Sequence, residues 1–147
     1  MEIILAYVGV LIMTGFAFAS SVWGSTVCGH TAIASMKKNP DAFGSYVALS
    51  AICTSQGLYG FVGYFMVKPL LVESITMLQA VVIVILGVLM AFANLYAGIR
   101  QARVCANGIK EIGDGHDVFA TTMVLAVFPE LYAILSLLVT ILVAGAL

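Results

Sequence analysis

Charge is what this sequence has least of. Six basic and seven acidic residues make up 9% of its 147 positions, against 63% hydrophobic residues and a mean hydropathy of +1.14. A soluble domain of that size would need far more charge to cover its surface. A soluble fold is therefore excluded, and a polytopic membrane protein in one compact bundle remains. A formal net charge of −1 offers no basic face for nucleic acid. The three cysteines, Cys28, Cys53 and Cys105, are odd in number and fall in predicted helices, so no disulfide framework is implied. Cys28 and Cys105 read as small packing residues. His30 and His116 lack metal-ligand spacing, and no phosphate-binding loop is present. Met1-Glu2 runs straight into an apolar stretch without the basic start of a cleavable signal peptide. Ile3 onward is accordingly read as the first span of the mature protein.

Four apolar segments are present: Ile3 to Ser35, Phe43 to Val67, Ser74 to Ile109, and Val118 to Ala146. Each exceeds the roughly 20 residues a helix needs to cross the hydrocarbon. Lys37-Lys38-Asn39-Pro40-Asp41 closes a first hairpin, Lys68-Pro69 with Glu73 joins the hairpins, and Gly113-Asp114-Gly115-His116-Asp117 closes a second. Short polar loops between long apolar helices make antiparallel neighbours. The predicted fold is all-α, with four transmembrane helices as two hairpins, residues 1–70 and 71–147. Lys37, Lys38, Arg100, Arg103 and Lys110 lie in or near the hairpin loops, and only Lys68 lies at the other end. The positive-inside rule then makes both hairpin loops cytoplasmic and both termini external, in a multi-pass cell-membrane protein.

The halves echo each other. Val27-Cys28 recurs as Val104-Cys105, and Asp41-Ala42-Phe43 as Asp117-Val118-Phe119. Both hairpins point the same way, so the duplication is parallel rather than inverted. The first helix carries Gly9, Gly15, Ala17, Ala19, Ser21, Gly24 and Gly29, and the third carries Gly87, Ala91, Ala93, Ala97 and Gly98. Small residues let backbones approach closely in lipid. They fit ordinary bundle packing or the inner wall of a ring of copies equally well.

Within the last apolar run, Phe128-Pro129-Glu130-Leu131-Tyr132 holds the one acid with long apolar flanks on both sides. A carboxylate at mid-bilayer costs about 2.5 to 3.5 kcal/mol even on lenient insertion scales, and such residues by default mark function. Desolvation disfavours the bare anion, so the group should hold a proton or pair with a cation. Pro129 is expected to leave the carbonyl near Leu125 unpaired and can kink the helix.

In the second segment Ile52, Ser55, Gln56 and Tyr59 share one face by their i, i+3, i+4, i+7 spacing. Counting from the hairpin turns at 1.5 Å per residue puts Gln56 and Glu130 at one depth, with Gln101 within roughly 5 Å of it. A carboxylate, two carboxamides, two hydroxyls and a backbone carbonyl form an all-oxygen environment for a hard cation, and a single negative charge suits a monovalent ion. The same polar groups could instead be interhelical hydrogen-bond glue.

The runs Ser55-Gln56-Gly57-Leu58-Tyr59-Gly60-Phe61, Leu95-Tyr96-Ala97-Gly98-Ile99-Arg100-Gln101 and Pro129-Glu130-Leu131-Tyr132-Ala133-Ile134-Leu135 closely resemble the rotor-ring proteolipid of V-type and A-type rotary ATPases, in its duplicated four-helix form. The resemblance covers essentially the whole chain. It implies a non-catalytic component of a homo-oligomeric cyclic ring, with Glu130 as the ion-carrying carboxylate and Gln56 in the corresponding place of the first hairpin. It further implies Na⁺ ligands at Gln56, Ser55, Gln101, Glu130 and the carbonyl of Ile52, with H⁺ as the alternative ion, and Tyr59 locking the carboxylate. The partners it implies are membrane lipid, an arginine-bearing stator protein in the membrane, and a central-stalk protein at the cytoplasmic loops. Two positions depart from the family pattern. Ser55 stands where threonine is common, and Arg100 stands where a small residue is expected. An Arg100 aimed at Glu130 would displace the cation, so it is expected to turn to the cytoplasmic headgroups or the ring interior. The rival readings are a small four-helix cation or drug antiporter, which resembles the chain less, and a non-transporting tetraspan.

Overall fold

The computed structural model describes residues 1–147 and contains only helices: α1 (Glu2–Met36), α2 (Phe43–Ile52), α3 (Ser55–Val67), α4 (Met77–Gly113) and α5 (Phe119–Ala144), with 3-10 turns at Pro40–Ala42 and Lys68–Leu70. Helices α1, α4 and α5 are each long and apolar enough to cross a membrane. The second span, expected to be continuous from Phe43 to Val67, is interrupted instead at Cys53-Thr54. A side chain from α1 enters the ladder there. Ser21 Oγ accepts from the Gly57 N–H at 2.7 Å and donates to the Thr54 carbonyl at 3.0 Å. An inserted hydroxyl of this kind meets the backbone groups a helix break orphans, so the bend carries little penalty in lipid.

Local chemistry also sets the other boundaries. Segment three begins at Met77 rather than Ser74 because Thr76 is its N-cap. The Thr76 side chain accepts from the Gln79 N–H, and the Gln79 side chain accepts from the Thr76 N–H, a reciprocal capping box. At the far end α4 runs past Ile109 to Gly113, and Gly115 at φ +95° turns the chain into α5.

Helices α1 and α4 pack along their length, with α3 against α1 and α5, and α5 against α4. The α1 and α4 backbones come into direct contact where Gly9 faces Gly87. A Cβ on Gly9 would sit 2.7 Å from the Ile83 carbonyl oxygen, and one on Gly87 would strike the Gly9 carbonyl. Both hairpin loops lie at one end of the bundle. Lys38 Nζ meets Asp114 Oδ1 at 2.6 Å, and Asn39 Nδ2 donates to the Ile112 carbonyl at 3.0 Å. Each member of the Lys38–Asp114 pair stabilises the other's charged form, lifting the lysine and lowering the aspartate from their ordinary values.

Buried apolar clusters fill both ends of the bundle. One surrounds Cys28, Tyr46, Leu49, Cys105 and Ile109 near the hairpin loops, and the other surrounds Ala6, Val67, Ala80 and Ile83 near the termini. All three cysteines are buried and free. Between the clusters lies a buried polar layer: Ser20, Gln56, Asn94, Gln101 and Glu130.

Overpacking at a backbone-to-backbone contact typically costs about 1–3 kcal/mol. Gly87→Ala is therefore expected to lower the thermal unfolding midpoint of the detergent-solubilised chain, measured by loss of helical circular dichroism. Gly44→Ala, where a Cβ meets nothing within 4 Å, is the control expected to leave the midpoint near its original value.

Candidate functional site

Three helices bring together the side chains around Glu130. The break before α3 places Gln56 and Tyr59 on its first two turns, α4 brings Gln101, and α5 brings Glu130 just after Pro129. One hydrogen-bonded chain links the four side chains. Gln56 Nε2 donates to Gln101 Oε1 at 2.8 Å, and Gln101 Nε2 donates to Glu130 Oε2 at 3.0 Å. The Tyr59 hydroxyl donates to Glu130 Oε1 at 2.6 Å. Each oxygen of the carboxylate thus has one donor, and bonds of this charge-assisted kind are worth about 1.5–3 kcal/mol. Glu130 is only 9% exposed although α5 is largely uncovered on its other faces. Its neighbours Phe128, Leu131 and Tyr132 point outward.

Pro129 sits inside an unbroken α5. The carbonyl expected to be freed was that of Leu125. The side-chain donor found in this turn goes one residue further on, from Gln101 Nε2 to the Ala126 carbonyl at 3.2 Å. That contact ties α4 to the loosened turn and fixes the amide that holds Glu130.

Two of the expected ligands stand apart. Ser55 Oγ donates to the Ile52 carbonyl at 3.1 Å. The two groups satisfy each other across the helix break and make no hydrogen bond to the two glutamines or to Glu130. A polar residue absent from the sequence pattern also joins the layer. Asn94 is fully buried in α4, its backbone carbonyl taking a bond from Ser20 Oγ at 2.9 Å and its side chain donating to the Met90 carbonyl at 2.8 Å. An amide at the middle of α4, the end of a long apolar run, is the one sequence signal for it. Gln56 Oε1 and Asn94 Oδ1 are the two buried side-chain polar atoms without a partner. A buried acceptor left unmet costs about 1–3 kcal/mol.

No basic side chain of the chain lies within ion-pair distance of Glu130. Arg100 is exposed and lines a groove of about 400 Å³ between α4 and α5, with Tyr96, Phe128, Pro129 and Tyr132 among its walls. Arg100 makes no ion pair with Glu130. Ala93 and Ala97 line the same groove as Arg100. A buried acid with neutral donors, an unmet amide oxygen and no internal cation has the chemistry to accept a small positive charge.

The family model for the C subunit of ATP synthase matches twice, over residues 8–67 and 84–143. This chain belongs to that family. It is a duplicated rotor-ring proteolipid of the V/A type, the non-catalytic, ion-translocating component of a rotary ATPase, and it resides in the membrane. It is similar to the V-type sodium ATPase subunit K of Enterococcus hirae, 30% identical over 129 residues that span 88% of this chain and 83% of the relative. The A-type ATP synthase subunit K of Methanocaldococcus jannaschii is 29% identical over 140 residues, 95% of this chain and 61% of that longer relative. The two matches within the chain start and end at one constant spacing, in line with the parallel hairpin duplication read from the sequence.

Replacing Tyr59 with phenylalanine removes one of the carboxylate's two side-chain donors and leaves the fold's apolar contacts in place. Faster carbodiimide modification of Glu130 at a fixed pH is expected, by about tenfold if the lost bond is worth about 1.5 kcal/mol. An unchanged rate would show that Tyr59 does not hold the carboxylate.

Proposed function

We propose that this proteolipid carries a sodium ion on Glu130 as the ring turns. The observation that carries the reading is the buried carboxylate without an internal cation, joined through Gln101 to a glutamine whose oxygen has no donor. An all-oxygen set of that composition suits a hard monovalent cation, and the name of the Enterococcus relative points the same way. Glu130, Gln56 and Gln101 supply side-chain oxygens, Ser55 and the Ile52 carbonyl complete the set, and Tyr59 latches the carboxylate over the ion. Gln101 must turn its amide so that oxygen rather than N–H faces the site. The turn gives up the bond to the Ala126 carbonyl and requires Gln56 to accept from Gln101 rather than donate to it, a cost the bound ion has to offset.

Each chain acts as two hairpins, residues 1–70 and 71–147, with one ion per chain because Gln56 takes the acid's place in the first hairpin. An ion from one half-channel of the stator neutralises Glu130, and the neutral site then crosses the lipid-facing arc without the cost of a bare anion in hydrocarbon. A stator arginine later favours the free carboxylate and releases the ion. Both hairpin loops face the cytoplasm and both termini lie outside, by the lysine and arginine bias. The loops, with Asn39, Asp41, Asp114 and Asp117, dock the central stalk.

A proton ring is the second reading, favoured by one observation: Ser55 and Ile52 are occupied with each other. Carbodiimide labelling separates the two. With the intact ring at a pH where part of Glu130 is protonated, Na⁺ is expected to slow labelling in a saturable way. Labelling indifferent to Na⁺ would remove sodium and leave the proton. Glu130→Gln is expected to abolish ion transport while rings still assemble, whereas residual transport would remove Glu130 from the ion path.

A further inference from the structure

Arg100 and Arg103 lie about thirteen and about ten residues from the loop end of α4, against about eleven for Glu130 on α5, and of the two only Arg100 lines the groove beside Pro129. The next residue, Gln101, bonds both Glu130 and the Ala126 carbonyl, and Pro129 shares the groove that Arg100 lines. None of the chain's ion pairs includes it. A guanidinium has five donors and no acceptor, and at membrane depth it needs oxygen partners. A second groove of about 430 Å³ is lined by the first hairpin alone, with Ser25, Ser50 and Thr54 on its walls. Each of these hydroxyls has spent its hydrogen inward: Ser25 on the Ser21 carbonyl at 2.8 Å, Ser50 on that of Tyr46 at 2.8 Å, and Thr54 on that of Ala51 at 2.7 Å. Their oxygen lone pairs remain as acceptors. Arg100 lies about thirteen residues from the loop end of α4, and Ser25 and Thr54 each about eleven from the loop ends of α1 and α2, within roughly 5 Å of one depth.

One groove belongs to α4 and α5 and the other to α1 and α2, so each is built by a single hairpin. The family closes its copies into a ring through heterologous contacts, in which one flank of a copy meets the other flank of the next. We propose that Arg100 of each copy seats its guanidinium in the hydroxyl-lined groove of the next copy, against Ser25 and Thr54, and fastens neighbouring copies near the depth of Glu130. The occupant is a second copy of this chain. The contact rests on ring assembly and is independent of which ion the ring carries.

Thiol cross-linking of full-length chains in native membranes tests this contact. Chains carrying R100C with T54C, or R100C with S25C, are treated with a short bis-maleimide and separated under denaturing conditions. A ladder of dimers and larger species is expected, because each copy links to the next. Chains with only one added cysteine, keeping the buried Cys28, Cys53 and Cys105, are expected to run as single chains. No ladder from either pair, or an equal ladder from R100C alone, overturns the contact. Rapid alkylation of R100C in the intact ring by a lipid-soluble maleimide also overturns it, since lipid would then fill the groove. A second readout guards against cysteine pairs that fail to assemble. The R100A ring in detergent is expected to fall apart at a lower temperature than the parent, with R100K in between. An R100A ring as heat-stable as the parent overturns the contact. Na⁺ protection of Glu130 is read on the unaltered chain, so the two proposals can fail separately.

Discussion

A carboxylate near the middle of a bilayer has to be held by something other than water, and in this protein Tyr59 and Gln101 hold it. The two donors arrive from different helices, so α3, α4 and α5 must all present polar atoms at one depth. Much of the architecture serves that convergence. The break at Cys53-Thr54, met by Ser21 from α1, re-aims the start of α3 toward α5. Pro129 loosens the turn before Glu130, and Gln101 ties itself to that turn through the Ala126 carbonyl. Apolar clusters above and below keep water from the layer, which strengthens each hydrogen bond within it and raises the cost of any that is missing.

The same constraint gives the unpartnered Gln56 oxygen its interest. Native structures leave few buried acceptors unmet, and this one belongs to the amide that donates to Gln101, one bond further from the acid. In the proposed function a cation meets it, and the charge of Glu130 is met in the same event. Electrostatics and hydrogen bonding then favour a single occupant. The small residues between α1 and α4 matter for a different reason. Where Gly9 and Gly87 touch, the backbones stand close enough that a methyl group would separate them. Such close packing fixes the relative depth of the two hairpins, and with it the level at which Gln56 meets Gln101.

Composition and pattern carry the class of fold because in lipid every backbone group must be satisfied within its own segment. Four apolar runs separated by loops with Pro or Gly leave little choice but four helical spans, and the parallel echo of Val27-Cys28 in Val104-Cys105 sets their order. Depth is legible too, since rise per residue is nearly constant along a helix. Counting from the turns brings Gln56, Gln101 and Glu130 to one level from spacing alone. The interruption of the second span is not legible, because its cause is Ser21, more than thirty residues away in sequence and brought near only by packing. Asn94 escapes the sequence for the same reason, as its burial depends on α1 passing over it with Ser20.

The sequence by itself determined that this is a duplicated four-span membrane protein with one acid in its last helix and a set of amides and hydroxyls at the acid's level. Those conclusions rest on hydropathy and on spacing, which are local quantities. Only the tertiary structure decided which oxygens face one another. Ser55 turns to Ile52 rather than to the acid, Gln101 presents its N–H to Glu130, and Arg100 lies on the flank beside Pro129. Side-chain direction is set by the crossing of neighbouring helices and by competition among nearby acceptors. Neither can be counted along a chain.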